Sequence, residues 1–134
     1  MLTAFTFEIS PMPAALNPAA IAATLTETWS PRVIGAVNDA YIKVARLHGS
    51  LAWHAHAAED EMFLVLAGSL RIETEDGDVT LGQGEMFVVP AGLRHNPVAA
   101  DECLIMLIEQ KSTLHTGDTH TEKTRSLADQ LRPV

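Results

Sequence analysis

His54 and His56 stand two residues apart in the run Trp53-His54-Ala55-His56. On an extended strand, residues i and i+2 point to the same face. Two imidazoles on one face can reach a single ion at about 2.0–2.1 Å each. Glu61 follows five residues after His56 and opens the apolar run Met62 to Leu66. Alternation along that run puts Glu61, Phe63 and Val65 on a common face. A carboxylate entering a buried strand needs a partner, because burying a lone charge is expensive. His95 lies just past the turn Pro90-Ala91-Gly92. These four side chains are candidate ligands of one divalent metal ion. Trp53 must face away from the two histidines. Cys103 opens the apolar run through Ile108 and reads as a buried, inert thiol.

The elements that would position these ligands are short strands. Candidates are 32–37, 40–48, 51–56, 61–67, 69–75, 78–81, 85–89, 93–97 and 103–110. Turn residues punctuate them: Asn38-Asp39, Gly49-Ser50, Gly68, Gly82-Gln83-Gly84 and Pro90-Ala91-Gly92. Asp76-Gly77 is expected to form a two-residue hairpin turn. Many short strands with few helical segments predict an all-β sandwich or barrel. Ahead of them, residues 1–16 read as an irregular arm. Asn17-Pro18 is a helix-start signal, which predicts a helix over 19–29 ended by Ser30-Pro31. The organisation expected is an N-terminal arm and short helix over 1–31, a β-barrel over 32–112 and a tail over 113–134. The Thr-rich tail reads as a surface strap or a partly disordered segment, with a last short helix at Ser126–Leu131. His115 and His120, both in it, read as surface residues.

Composition narrows the function classes. The 134 residues are 47% apolar and 19% charged, with a net charge of −8. That is one globular domain with enough core to fold without a disulfide. An acidic chain repels nucleic acid and anionic lipid, so neither is an expected partner. One cysteine, no basic n-region and early prolines point to a cytoplasmic protein with no signal peptide or membrane span.

The spacing of the candidate ligands resembles the two motifs of the cupin superfamily. The first reads Gly49, four residues, His54-Ala55-His56, four residues, Glu61, six residues, Gly68. The second reads Gly84, five residues, Pro90-Ala91-Gly92, two residues, His95. The first motif is one residue short after Gly49, and Ala99 stands where the second ends in Asn. The phrasing from His56 to Gly68, with Thr116-Gly117-Asp118, is similar to small bacterial cupins of the mannose-6-phosphate-isomerase-like type. The resemblance implies an antiparallel jelly-roll, the double-stranded β-helix or cupin barrel, with one metal ion per chain near one mouth. Fe, Mn, Ni or Zn would all suit three imidazoles and a carboxylate.

Two functions are compatible with such a site. One is a metal-dependent enzyme, of oxygenase or isomerase type, acting on a small polar molecule. The other is a non-catalytic small-molecule or sugar-binding cupin. Arg46, His48 and Tyr41 are candidates for an acid or base beside the ion; Arg46 and His48 share one strand parity, Tyr41 and Lys43 the other. The resemblance also implies a homodimer. Light scattering at micromolar concentration should give twice the 14.5 kDa chain mass, and a mass near 14.5 kDa would contradict it.

Overall fold

A computed structural model describes residues 14–134, so most of the expected N-terminal arm lies outside the described residues. Two short helices flank seven strands: α1 (Pro18–Ala23), β1 (Arg32–Val37), β2 (Ala40–Ser50), β3 (Glu61–Ala67), β4 (Leu70–Thr74), β5 (Val79–Leu81), β6 (Met86–Val89), β7 (His95–Gln110) and α2 (Leu127–Gln130). All pairings between these strands are antiparallel. The main sheet runs β1-β2-β7-β3-β6, and β4 joins it through β7 and carries β5. This is the expected all-β jelly-roll with a short helix.

β7 organises the barrel. Over 16 residues it pairs with β4 at its start, then with β2 and β3. The separate strands expected at 93–97 and 103–110 are therefore one bent strand. The bend falls where the β2 pairing jumps from Leu47↔Cys103 to Gly49↔Ala99. Ala99 is fully buried there.

Strand alternation divides two apolar clusters. Inward residues Ala45, Leu47, Phe63, Val65, Ile105 and Leu107 pack with Leu70, Ile72 and Trp29 inside the barrel. Outward Val44 packs with Ile34, Ala22 and Leu25 beneath α1. The parity of β2 is thereby settled. Tyr41 and Lys43 belong to the buried inward set, and His48 is exposed. Arg46 lies outside, bonded to the Leu25 and Ala23 carbonyls and to Glu102. It tethers the end of α1 to β2 and is not a pocket residue.

Three local expectations need correcting. α1 begins as expected, with the Asn17 side chain accepting from the Ala20 amide and Pro18 in the first turn, but it stops at Ala23. Trp29 turns into the barrel end instead, with positive φ, its amide on the Arg46 carbonyl and its indole N–H on the His48 carbonyl. Burying an indole with its N–H satisfied outweighs a few more residues of helix. At the β4–β5 hairpin the turn runs from Thr74 to Gly77, with Glu75 and Asp76 at its centre and positive φ at Gly77. The two-residue turn expected at Asp76-Gly77 would have needed positive φ at Asp76. Residues 51–56 form no strand; they meet β7 through the bridge His54↔His95 and through the Leu51 amide on the Pro97 carbonyl. The tail folds back over the barrel, and Ser126 caps α2 by accepting from the Asp129 amide.

Candidate metal centre

Backbone pairing brings the two motifs together. The His54 amide donates to the His95 carbonyl at 3.0 Å, and the His95 amide returns the bond at 2.9 Å. The Gly92 amide caps the His56 carbonyl at 2.8 Å, and the Ala91 amide reaches Asp60 Oδ1 at 2.9 Å. The Pro-Ala-Gly turn thus seats itself against the loop carrying His54 and His56. Glu61 enters from the first position of β3. The structure brings all four residues together: one nitrogen or oxygen from each of His54, His56, Glu61 and His95 lies within 4.8 Å of the others.

The protonation pattern suits a cation. His54 Nδ1 lies 2.8 Å from the Ala52 carbonyl, and His95 Nδ1 lies 3.0 Å from the Leu93 carbonyl. A carbonyl can only accept, so each Nδ1 carries a hydrogen, which leaves Nε2 as the nitrogen that a neutral ring would offer to a metal. Burial pushes His54 down to about 4, so its ring is neutral at pH 7. Neither ring nitrogen of buried His56 has a hydrogen-bond partner among the described residues. Glu61 Oε1 stands 3.3 Å from His95 Nε2 and 3.5 Å from His56 Nε2. A lone pair facing a carboxylate oxygen is unfavourable unless something positive lies between them. Donors each about 2.1 Å from one ion stand about 3.0–3.4 Å apart at octahedral or tetrahedral angles. The orphaned imidazole and these separations fit a divalent ion.

The carboxylate is supported from behind. Glu109 is the cross-strand partner of Glu61, and its Oε1 lies 2.6 Å from Lys43 Nζ. The Gln130 side-chain oxygen accepts from the same ammonium at 2.6 Å, which ties α2 to the barrel. Lys43 is 1% exposed, Glu109 5% and Gln130 2%. Burial and the Glu61 charge push the Glu109 carboxyl well above its ordinary range, against the pull of Lys43. Burial also acts to raise Glu61, but its neighbours His56, His95 and Glu109 outweigh it and hold Glu61 well below the usual carboxylate range. Of the two carboxyls Glu61 ionises the more readily, and it faces the histidines.

His115 departs from expectation. It is 8% exposed, not on the surface, whereas His120 is exposed as expected. Its Nδ1 accepts the Arg125 amide at 2.8 Å, and burial pushes its pKa down to about 4. His115 lines an interior cavity together with His54 and Glu61. The rest of that lining is apolar, including Trp29, Leu47, Leu51, Phe63, Ile105 and Leu107. Its free space, about 20 Å³, holds one or two water-sized molecules. Cys103 is buried, and burial raises its thiol to about 11, as befits an inert side chain.

A barrel of antiparallel strands with three histidines and a glutamate at one point defines a class of metal-suited β-barrels, and similarity to known proteins names the family. The cupin domain family model matches residues 44–109. A cupin-2 domain protein from Shewanella frigidimarina is 42% identical, with a TM-score of 0.69, over 72% of this chain and 94% of that one. The uncharacterized protein YdbB of Bacillus subtilis is 30% identical over 96 residues, 71% of this chain and 85% of the relative. Hydroquinone 1,2-dioxygenase from Sphingomonas sp. TTNP3, solved with 4-hydroxybenzoate, shares the fold at a TM-score of 0.68 and 22% identity, over 78% of this chain and 36% of its own. The chain belongs to the cupin superfamily. No helix among the described residues is long and apolar enough to cross a membrane.

Proposed function

We propose that this cupin binds one divalent metal ion through His54, His56, Glu61 and His95 and works as a metal-dependent enzyme of the oxygenase type on a small molecule. The observation that carries the reading is the cavity beside the ligands. Its walls are aliphatic and aromatic, with His54, Glu61 and His115 as the polar groups. A sugar placed there would bury hydroxyls without partners, each costing about 1–3 kcal/mol. Dioxygen would not. Three imidazoles and a carboxylate leave up to two positions open on a six-coordinate ion, which would supply Lewis-acid or redox chemistry. The chain's own contribution is to hold the Nε2 lone pairs inward, keep Glu61 ionised and exclude bulk water. A non-catalytic small-molecule-binding cupin is the second reading.

Anaerobically loaded Fe(II) protein, mixed with oxygenated buffer and hydroquinone or mannose 6-phosphate, separates the readings. Oxygen uptake that depends on the phenol supports the oxygenase. Ketose formation from the sugar phosphate supports an isomerase instead. Binding of either compound with no turnover supports the binding module.

A further inference from the structure

The segment carrying His54 and His56 has little regular support of its own. It lies in no strand, and one side of it pairs with His95 through the bridge already described. The other side is held by the tail. The Ala55 amide donates to Asp118 Oδ1 at 3.0 Å, and the Asp118 amide donates to the Ala55 carbonyl at 3.1 Å. Asp118 thereby satisfies both backbone groups of the residue between the two histidines. Its other carboxylate oxygen meets Arg94 Nη1 at 3.3 Å, and Arg94 Nη2 reaches the Trp53 carbonyl at 3.4 Å. Arg94 directly precedes His95, so the clasp spans both motifs.

Gly117 makes the close approach possible. It takes φ +54°, and an added Cβ would stand 2.1 Å from the Ala55 carbonyl oxygen and 3.2 Å from His54 Cδ2. No side chain fits there. The strap is also anchored beyond the clasp: Thr116 and Thr124 hydroxyls pair at 2.6 Å, and the Arg125 amide binds His115 at 2.8 Å. On its near side, Ser112 donates to Glu59 at 3.0 Å across a cleft of about 270 Å³ that His56 also lines.

We propose that Asp118 is a positioning residue of the metal centre: by clasping Ala55 it sets the spacing of His54 and His56, so that metal binding and docking of the tail stabilise one another. The inference rests on the metal-binding reading above. Coupling of this kind is reciprocal, so the ion must protect the strap as much as the strap favours the ion. Groups that orient metal ligands through one intermediary are typically worth about 10–100-fold in metal affinity.

The test is Co(II) titration against a competing chelator, with tryptic cleavage at Lys123 and Arg125 followed in parallel. Asp118→Ala should weaken Co(II) binding about 10–100-fold while leaving the far-ultraviolet circular dichroism unchanged, since the Asp118 side chain is 54% exposed. Asp118→Asn keeps an oxygen for the Ala55 amide and should recover most of that affinity. A role confined to the Arg94 ion pair would not be rescued by Asn. Co(II) should slow cleavage of the strap in the wild type and much less in Asp118→Ala. Wild-type binding with an equally tight Asp118→Ala variant, or cleavage indifferent to Co(II), would overturn the clasp while leaving the metal site standing. A wild type that binds no Co(II) would overturn both.

Discussion

Replacing Glu109 by leucine should destabilise the fold by about 3–5 kcal/mol in urea denaturation, because it leaves the Lys43 ammonium buried without an anion. The pair is closed to solvent on both sides, with side chains 2% and 3% exposed, so no water can take over. For a domain of this size each kcal/mol moves the melting temperature by about 2–8 °C. Replacing both partners, as Lys43→Met with Glu109→Leu, should return the stability to within about 1–2 kcal/mol of wild type, the remainder being the Gln130 oxygen left without its donor. A Glu109→Leu variant within 1 kcal/mol of wild type on its own would mean that the pair does not hold the barrel end.

That pair was not read from the sequence, where parity grouped Lys43 with Tyr41 and left open which set faces inward. The alternation Cys103, Ile105, Leu107 places Glu109 on the inward face of β7. The structure puts Lys43 inward, where its ammonium meets Glu109. Pairing the two strands was what the single chain did not supply. The convergence of His54, His56, Glu61 and His95 was legible from the family's motif spacing rather than from strand period, since residues 51–56 form no strand. His115 and the Asp118 clasp were not legible. They depend on where a Thr-rich tail with no hydrophobic period comes to rest, and that is decided by hydrogen bonds to a loop about 60 residues away in sequence. The premature end of α1 has the same origin. Local preference favoured helix through Trp29, and burial of the indole in the barrel prevailed.

Removing a bound ion should lower stability without unfolding the chain. The barrel core of Phe63, Val65, Ile72, Ile105 and Leu107 does not involve the ligands' donor atoms, so the β circular-dichroism signal should survive chelation. An ion that binds only the folded state adds RT ln(1 + [L]/Kd), about 2.7–4.1 kcal/mol at 100–1,000 times Kd. A fall in melting temperature on the order of 10 °C is therefore expected with EDTA. Acid should compound it. His54 and His115 have folded pKa values pushed by burial to about 4, below the unfolded value of 6.5. The unfolded chain takes up those two protons first, so stability present above pH 6.5 is lost as the pH falls toward 4. Glu109 runs the other way, its raised pKa favouring the folded state as protons are added. With two histidines against one carboxyl, the metal-free protein should still lose stability as the pH falls from 6.5 toward 4.5. An EDTA-treated protein that is unfolded at 25 °C and pH 7 would show that the ion makes the fold rather than occupying it.

The central claim, that these four side chains form one metal site, is tested most directly by metal content. Protein expressed in metal-supplemented medium, purified without chelators and analysed by plasma mass spectrometry should carry close to one divalent ion per chain. His56→Ala should carry less than about a tenth of that, with an unchanged circular-dichroism spectrum, because its imidazole is the donor with no other partner. A wild type without stoichiometric metal, or a His56→Ala variant that keeps its full complement, would contradict the account.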